Sequence, residues 1–484
     1  MDKRHYNSTS ELMEMFLEFE NHSNVLEYHY RYSDMLIWPF VRYAVWGAII
    51  KSNLGENGEN CDITKQNMGK SKILSYKWSQ LFKLKKNPIF CKKTKDIIFL
   101  CSATGYIKDA TGQYYDRVHD EFVAMYDNTA IIEDAPLFRH FYPRKYKAYE
   151  SDALDIICLF NEKLARLNKA DKETINMLIE YLKVNLPVEI KATYWRTIRI
   201  ELERYAKNNK LIYHFYKKCF INMHPKLVFV SKGCYGNHVA CKVKVLKDLG
   251  IPCVEIQHGM THSSHMAYNY SRSIYESKEY QEYMPDLFLT MGKYWMSRVK
   301  IPIKMQALGS ANFYRNMQKE NDEQPSHDIL VLPVEMQPWL ELVTFLKERL
   351  PDKKIIVKMH PSFRKEYEIF KEIEAPNVKV CIDGNIYDYL NQVDIVIGDS
   401  STVLYEAAAL KKTVLVWNND RSSSYTDARL GCWFNDRYEL VKLLENPELI
   451  DSKNSIAPED IYEYDMRSNY LTFIGKYLSD ESII

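Results

Sequence analysis

Short apolar runs alternate with amphipathic stretches from about residue 96 to about residue 419. Most of these runs end in small, polar or turn-forming residues, which is typical of buried strands in a parallel sheet. The predicted strands of the first half are residues 96–102, 129–134, 226–233, 251–259, 286–292 and 304–310. Those of the second half are residues 328–334, 353–361, 378–384, 393–401 and 413–419. This alternation predicts an α/β protein with right-handed βαβ crossovers.

The pattern divides the chain into four parts. Residues 1–93 are predicted to form a helical or irregular extension, and residues 94–318 a first Rossmann-like domain. A polar stretch, residues 319–326, links it to a second Rossmann-like domain, residues 327–455, and residues 456–484 form a helical tail. Two doubly wound domains facing each other would leave a cleft between the carboxyl ends of their strands, where open α/β sheets bind ligands.

The charge balance argues against a general nucleic-acid binder. The chain has 65 Lys and Arg against 64 Asp and Glu, a formal charge of +1. The broad basic footprint of such proteins is therefore missing. No nucleic-acid partner is predicted.

Targeting signals are also missing, so we expect a cytoplasmic protein. The N-terminus is polar and has no apolar signal region. The most apolar stretch, residues 35–50, contains Pro39 and Arg42 and is predicted as a buried amphipathic helix. The ten cysteines form no CxxC pair, which makes a zinc site improbable and reduced core thiols the expectation.

The extension carries a concentrated basic segment. Residues 65–95 contain ten lysines and no acid, with Trp78 and Phe82 among them. A solvated loop is the ordinary interpretation. The alternative is peripheral contact with anionic lipid at the inner face of the cell membrane, where each lysine contributes about 1 kcal/mol.

The end of the strand at residues 353–361 offers a phosphate ligand. Pro361 ends the strand and disfavours helical geometry at His360. The imidazole of His360 is expected to point into the cleft and donate to a phosphate, with Arg364 adding a charge-assisted bond. A histidine bonded to a neighbouring carbonyl is the alternative.

A run of hydroxyl residues follows the strand at residues 393–401. Ser400, Ser401 and Thr402 precede a predicted helix, where free N–H groups and the positive end of the helix dipole favour an anion. An ordinary N-cap needs only one such residue. Glu406, one turn further on, is predicted to accept bonds from the ribose hydroxyls of a nucleotide. A solvated helix glutamate is equally compatible. We expect this run and His360 to lie at the ends of neighbouring strands.

His258 is the candidate general base in the first domain. It follows the strand at residues 251–259, and Gly259 beside it permits positive φ or close approach of a ligand. An unperturbed pKa near 6.5 would suit proton abstraction at neutral pH. His262 and His265 follow closely, but no acidic residue accompanies them, so no metal site is predicted. Loops 102–105 and 231–233 are weaker candidates for acceptor contacts.

The sequence has no P-loop, no GxSxG, no HExxH and no strand-associated GxGxxG. A P-loop NTPase, an α/β-hydrolase, a zincin and a standard dinucleotide dehydrogenase are therefore disfavoured.

Together, KMHPSF, VDIVIGDSSTVLYEAAAL and KKTVLVWN resemble the donor domain of GT-B-type bacterial surface-polysaccharide transferases. That group includes CDP-glycerol glycerophosphotransferases and the HP-motif sialyl and Kdo transferases. The segment VEIQHGMTH with MPDLFLTMG and ALGS is similar to the capsule and O-antigen transferases among them. The resemblance spans about residues 95–450 and implies a GT-B-like fold. It also implies that His360, Ser400 and Ser401 hold the donor phosphate and that His258 acts on the acceptor. The acidic Asp/Glu-Asp/Glu-Gly base motif of several sialyltransferases is missing, which argues against a sialyl donor.

These features predict a metal-independent glycosyltransferase without a cofactor. Its nucleotide-activated donor would be a substrate, and its acceptor a surface polysaccharide that we expect to be lipid-linked. Two alternatives stay open: a non-hydrolysing UDP-sugar 2-epimerase, and a non-catalytic nucleotide-sugar-binding assembly protein.

Overall fold

The computed structural model describes Tyr6 and residues 8–55, 86–109, 111–318, 326–334, 336–361, 363–450 and 456–478. The chain forms two compact units. The first comprises Met1–Thr290, Ser297–Gln306 and Arg467–Ile484, and the second comprises Met291–Met296 and Ala307–Met466.

The first unit is built on a seven-stranded sheet. Its strands are β1 (Ile97–Ser102), β2 (Thr129–Asp134), β3 (Ala148–Glu150), β4 (Leu227–Val230), β5 (Cys253–Ile256), β6 (Leu287–Thr290) and β7 (Lys304–Ala307). They lie in the order β3-β2-β1-β4-β5-β6-β7, and the pairs from β3 to β6 are parallel. The chain begins this sheet at β1 and adds strands toward β3. From β4 onward it adds strands on the other side of β1, which is the doubly wound Rossmann order.

Both faces of this sheet are covered. One face packs against the three helices Asp152–Leu164, Ala192–Met223 and Asn237–Asp248 through a buried core that includes Leu100, Val230 and Cys219. On the other face, the Phe229 ring lies 5.9 Å from that of Tyr470 in the C-terminal helix Met466–Leu478. The sequence predicts this tail as helical, and the structure packs it onto the first sheet because its aromatic rings cover apolar strand residues.

The N-terminal segment differs from the predicted extension. Its helices, Thr9–Asn21 and Trp38–Asn53, share one buried core with helix Lys169–Asn185 and with Ile198 and Leu202 of helix Ala192–Met223. Helix Trp38–Asn53 is buried around most of its circumference rather than along one stripe, since Phe40, Val41 and Arg42 are all buried. These helices are therefore an integral part of the first unit.

The second unit contains a six-stranded sheet. Its strands are β8 (Ile329–Val331), β9 (Ile355–Lys358), β10 (Val378–Cys381), β11 (Ile395–Gly398), β12 (Thr413–Trp417) and β13 (Cys432–Phe434). The order is β10-β9-β8-β11-β12-β13, and every pair is parallel. The flanking helices are Met336–Arg349, Arg364–Lys371, Ile386–Leu390, Thr402–Ala409, Asp420–Tyr425 and Arg437–Glu445. The α/β class and the two doubly wound sheets of the sequence prediction are confirmed.

Shorter elements complete the described chain. Two small antiparallel sheets pair His29–Tyr30 with Met35–Leu36 and Tyr106–Lys108 with Tyr114–Asp116. Other α-helices of the described residues are Asp120–Val123, Arg272–Glu276, Lys278–Gln281, Lys293–Met296, Ala311–Met317 and Pro458–Ile461.

The structure adds two strands to those predicted from the sequence. Strands β3 and β13, of three residues each, were not predicted. Most of the linker, residues 319–325, lies outside the described residues, as do residues 65–85 of the basic segment. In the described parts of the chain, no helix is long and apolar enough to cross a membrane.

Candidate functional site

The second sheet reverses its winding between β8 and β11. The connections leave these adjacent strands toward opposite faces, so a crevice opens at their carboxyl ends, where doubly wound folds bind ligands. Asp399, Ser400 and Ser401 follow β11 at this point. The strand-end chemistry found in the sequence therefore lies at the position that topology favours for a ligand.

Ser401 is the N-cap of helix Thr402–Ala409. Its Oγ accepts a hydrogen bond from the backbone N–H of Val403 at 3.2 Å, and its backbone is extended. This is the usual capping role. Ser400 is not needed for the cap: its hydroxyl donates to Asp399 Oδ1 at 3.1 Å and accepts from Arg421 Nε at 2.6 Å. The surplus hydroxyl and the cation beside it favour an anion site.

Asp399 anchors this strand end. It is buried, and its carboxylate accepts from the indole N–H of Trp339 at 3.2 Å and from the side-chain amide of Asn419 at 3.3 Å. Its backbone carbonyl accepts from Thr426 Oγ1 at 2.6 Å. Three separate segments are thus tied to the end of β11, which holds the neighbouring hydroxyl groups in place.

Arg421 is the residue that the sequence reasoning missed. It lies in helix Asp420–Tyr425, whose Asn419–Ser422 capping box follows β12, the strand next to β11. The same strand-end test that singled out the serines would have found it after the strand at residues 413–419. Its guanidinium group adds the permanent positive charge that a phosphate site requires.

His360 and Arg364 follow β9. His360 is exposed, and its ring centroid lies 6.1 Å from that of Phe363. The Arg364 guanidinium donates to Asp383 Oδ1 at 2.6 Å in a pair that is largely exposed, so a phosphate would have to compete with that carboxylate.

One expectation about this edge is wrong. His360, after β9, and the hydroxyl residues Ser400–Thr402, after β11, were predicted to follow neighbouring strands. In the structure, β8 lies between β9 and β11. Strand adjacency is set by the crossover order, which the local sequence pattern does not carry. Glu406 is half-buried one turn into helix Thr402–Ala409, and its ribose contact stays a prediction.

In the first unit, His258 follows β5 and contacts two tyrosines. Its Nε2 lies 3.3 Å from the hydroxyl of Tyr235, and its Nδ1 lies 3.5 Å from that of Tyr268. The Tyr268 hydroxyl donates to the buried Glu255 carboxylate at 2.6 Å, and Glu255 Oε1 lies 4.0 Å from His258 Nδ1. The glutamate and Tyr268 thereby fix the orientation of the imidazole.

The pKa of His258 differs from the expected value. Burial, followed by the charges of Lys232 and His265, lowers it from 6.5 to about 3. The imidazole is therefore neutral at physiological pH, but a weaker base than predicted. Gly259 does not have positive φ, and a Cβ there would meet nothing within 4 Å, so the backbone conformation does not require glycine.

The two following histidines have local roles. The Nδ1 of His262 accepts from the Ser264 backbone N–H at 3.3 Å, and the Nε2 of His265 lies 3.2 Å from the Tyr235 hydroxyl. In the described residues, the clusters of metal-ligand type lie elsewhere in the first unit. The predicted metal independence stays a prediction.

A cavity of about 510 Å³ lies at the carboxyl edge of the first sheet. Ser102 and Thr104 after β1, and Ser231 and Lys232 after β4, contribute to its lining. The two loops named as weak acceptor candidates thus meet at the point where this sheet reverses its winding. Asp134 lines the cavity too; burial opposes its ionisation, but its contact with Lys242 lowers the pKa of its carboxyl to about 2.

Comparison with known proteins identifies one family. Residues 328–469 match the model of the family described as CDP-glycerol:poly(glycerophosphate) glycerophosphotransferase, so the predicted resemblance is confirmed for this region. No curated protein matches the sequence.

Three of the solved structures similar to this chain illustrate the level of the likeness. The S. aureus MnaA–UDP co-structure is 12% identical and has a TM-score of 0.43, over 80% of this chain and 97% of that one. The UDP-GlcNAc 2-epimerase of Methanocaldococcus jannaschii is 12% identical, with a TM-score of 0.43, over 79% and 99% of the chains. The glycotransferase of kitacinnamycin is 9% identical, with a TM-score of 0.44, over 79% and 99%. Likenesses at this level carry no information on activity.

Proposed function

We propose that the protein is a glycosyltransferase-like enzyme that moves a sugar or a polyol phosphate from a nucleotide-activated donor to a bacterial surface polysaccharide. The acceptor would be a capsule or O-antigen glycan carried on a lipid. The observation that carries the proposal is the coincidence of two facts: the family match covers residues 328–469, and that stretch contains the serine and arginine cluster at the winding reversal of the second sheet.

The donor phosphates are assigned to the start of helix Thr402–Ala409. The first backbone N–H groups of that helix and the hydroxyl of Ser400 would donate to phosphate oxygens, and Arg421 would neutralise their charge. His360 would donate from the end of β9, and Glu406 would bind the ribose. Because fixed donors and a guanidinium stabilise the departing nucleotide, the proposal needs no metal ion.

Acceptor activation is assigned to the first unit. His258 would accept the proton of the attacking hydroxyl, with Glu255 and Tyr268 holding its ring. An anionic substrate beside the ring would raise its pKa, since a negative charge favours the imidazolium form. The cavity beneath Ser102, Ser231 and Lys232 would take part of the acceptor.

The first experiment measures donor binding by calorimetry with CDP-glycerol and a panel of nucleotide sugars. We expect one nucleotide class to bind, and Arg421→Gln or the pair Ser400→Ala and His360→Ala to weaken that binding. The loss of each charge-assisted contact should cost about 1.5–3 kcal/mol. The matched control is Arg437→Gln, an exposed arginine of the same unit that stacks on Phe345.

Unchanged affinity in the Arg421 and Ser400 variants would refute the donor site. Incubation with donor alone then separates the activities, because a 2-epimerase would convert the soluble nucleotide sugar without any acceptor. Binding without turnover on any acceptor would instead support an assembly protein.

A further inference from the structure

A buried polar cluster lies apart from the proposed donor and acceptor residues. We call it the His140 cluster, and it consists of His140, Glu133, Glu150 and Asp152. Glu133 is in β2, Glu150 ends β3, and Asp152 opens helix Asp152–Leu164, so the three carboxylates meet at the carboxyl edge of two adjacent strands. Their side chains are 0%, 3% and 4% exposed, and that of His140 is 1% exposed.

The His140 ring lies between carboxylates on both sides. Nδ1 is 2.5 Å from Glu133 Oε1. Nε2 is 2.9 Å from each oxygen of Asp152 and 3.9 Å from Glu150 Oε2. A carboxylate that holds one ring nitrogen while the other faces further carboxylates is the usual setting of a metal-binding histidine.

Two buried oxygens of the cluster lack a hydrogen-bond donor. Oε2 of Glu133 and Oε2 of Glu150 have no partner, although both are shielded from solvent. The other oxygen of Glu150 accepts from Lys86 Nζ at 2.8 Å and from the hydroxyl of Tyr142, and that of Glu133 accepts from Arg144. Leaving a buried carboxylate oxygen unpaired is costly, so each such atom calls for a missing partner.

A cation is the partner that suits these oxygens, since the cluster brings three carboxylates and an imidazole together at short range. Arg144 and Lys86 bond to Oε1 of Glu133 and of Glu150, which leaves the Oε2 atoms without a cation. Burying carboxylate oxygens is unfavourable unless a donor or a cation meets them.

We propose that the His140 cluster binds a divalent transition-metal ion. Nε2 of His140, Oε2 of Glu150 and the Asp152 carboxylate are its ligands, and Glu133 holds the Nδ1 proton of His140. The potential ligand atoms of His140, Glu150 and Asp152 lie within 4.8 Å of one another. One imidazole nitrogen with carboxylate oxygens suits Zn²⁺ or Mn²⁺, whereas Ca²⁺ and Mg²⁺ prefer sets made of oxygen alone.

Such an ion would support the wall of the cavity. Ala135, Pro136 and Phe138, in the loop that carries His140, line the cavity, and Ser151 beside Asp152 donates to Asp134 Oδ1 at 2.6 Å. Binding of the ion would fasten this loop to helix Asp152–Leu164. The assignment is structural and does not depend on the proposed transfer reaction.

The test uses the full chain, freed of metal by chelation and then titrated with ZnCl₂ or MnCl₂ in a calorimeter. We expect uptake of about one equivalent and a rise in melting temperature, because an ion that binds only the folded state stabilises it. Glu150→Gln and Asp152→Asn should lower the affinity by about tenfold or more, and Glu133→Gln by at least about tenfold. The control is His29→Gln, which removes an imidazole 2.7 Å from the exposed Glu279 in the same unit.

Three outcomes would overturn the proposal. One is the absence of uptake by the folded wild-type chain, which would identify His140 as a buried imidazolium paired with carboxylates. Another is equal uptake by the wild type and the Glu150→Gln and Asp152→Asn variants. If those variants do not fold, X-ray absorption of the Co²⁺-loaded wild type decides, and a first shell without an imidazole excludes the site.

Discussion

Burial changes the chemistry of His258 more than any feature visible in the local sequence. The ring lies among Lys232, His265 and two tyrosines, so its neutral form is favoured. As a neutral acceptor it can receive a proton from a hydroxyl group, but the resulting imidazolium needs a nearby negative charge. The Glu255 carboxylate, 4.0 Å from Nδ1, is the negative group beside the ring.

The activity of a His258→Gln variant tests this role. Removing a general base that acts on the acceptor should lower turnover by about 100-fold while donor affinity stays nearly unchanged. Steady-state kinetics and donor calorimetry on the same preparation measure the two effects. Wild-type turnover in the variant would exclude His258 from the mechanism.

The lowered pKa of His258 predicts that the stability of the protein depends on pH. Between pH 6.5 and about 3, the unfolded chain binds a proton at residue 258 that the folded chain does not. The free energy of unfolding should therefore be highest above this window and fall as the pH drops through it. Urea unfolding of wild type and His258→Gln should show a shallower decline in the variant, and equal slopes would contradict the low pKa.

At the scale of elements, the start of helix Thr402–Ala409 combines a structural cap with the proposed anion site. Ser401→Ala should cost about 1 kcal/mol of unfolding free energy, because Val403 N–H loses its acceptor. Ser401→Asp should restore the cap but repel a phosphate, so stability recovers while donor binding is lost. Urea unfolding and donor calorimetry distinguish the two effects.

The matched control for this prediction is Ser310→Asp. Ser310 caps helix Ala311–Met317 of the same unit by accepting from Phe313 N–H at 3.4 Å. It should leave donor binding unchanged. Full donor affinity in Ser401→Asp would mean that no phosphate lies at this helix.

At the scale of the whole molecule, the N-terminal helices stabilise the first unit through a buried ion pair. Arg42 Nε lies 2.6 Å from Glu20 Oε1, and the guanidinium also donates to the carbonyls of Met266 and Asn269 at 2.7 and 2.8 Å. These contacts connect the start of the chain to segments more than 200 residues away.

Arg42→Ala should therefore destabilise the first unit by about 3–5 kcal/mol, since the Glu20 carboxylate is left buried without its partner. Urea unfolding measures the loss, and Arg196→Ala, an exposed position on helix Ala192–Met223, is the control. If Arg42→Ala left the unfolding of the first unit unchanged, the N-terminal helices would be an appended extension after all.

The basic segment, residues 65–95, is expected to decide whether the protein binds to a membrane surface. If residues 65–95 dock the protein on anionic lipid, binding to anionic vesicles should fall at high salt, where the Debye length shortens. Changing Lys77, Lys83 and Lys85 to Glu should also reduce it. Lys86 is left intact because it pairs with the buried Glu150. Vesicle sedimentation is the assay.

The control for that assay changes the same amount of charge elsewhere, at Lys169, Lys172 and Lys183, which are exposed on one helix of the first unit. Equal binding of wild type to neutral and anionic vesicles, or binding to neither, would contradict lipid docking and favour the interpretation of this segment as a solvated loop.

The sequence alone determined the features that depend on near neighbours along the chain. Apolar runs, prolines and small residues located eleven of the thirteen strands in the two large sheets, and the hydroxyl run after the β11 strand marked a helix start. Those signals are local, because strand burial and capping involve residues a few positions apart. The motifs in the second half were specific enough to indicate the family that residues 328–469 match.

Tertiary structure decided what depends on distant contacts. The insertion of β8 between β9 and β11 follows from crossover order, and the contact of Arg421 with Ser400 joins residues from different strand ends. The low pKa of His258 arises from burial among side chains that other loops supply. The His140 cluster likewise forms only when two strands and a helix meet. Long-range packing sets strand order, burial and electrostatics, and no short stretch of sequence contains that information.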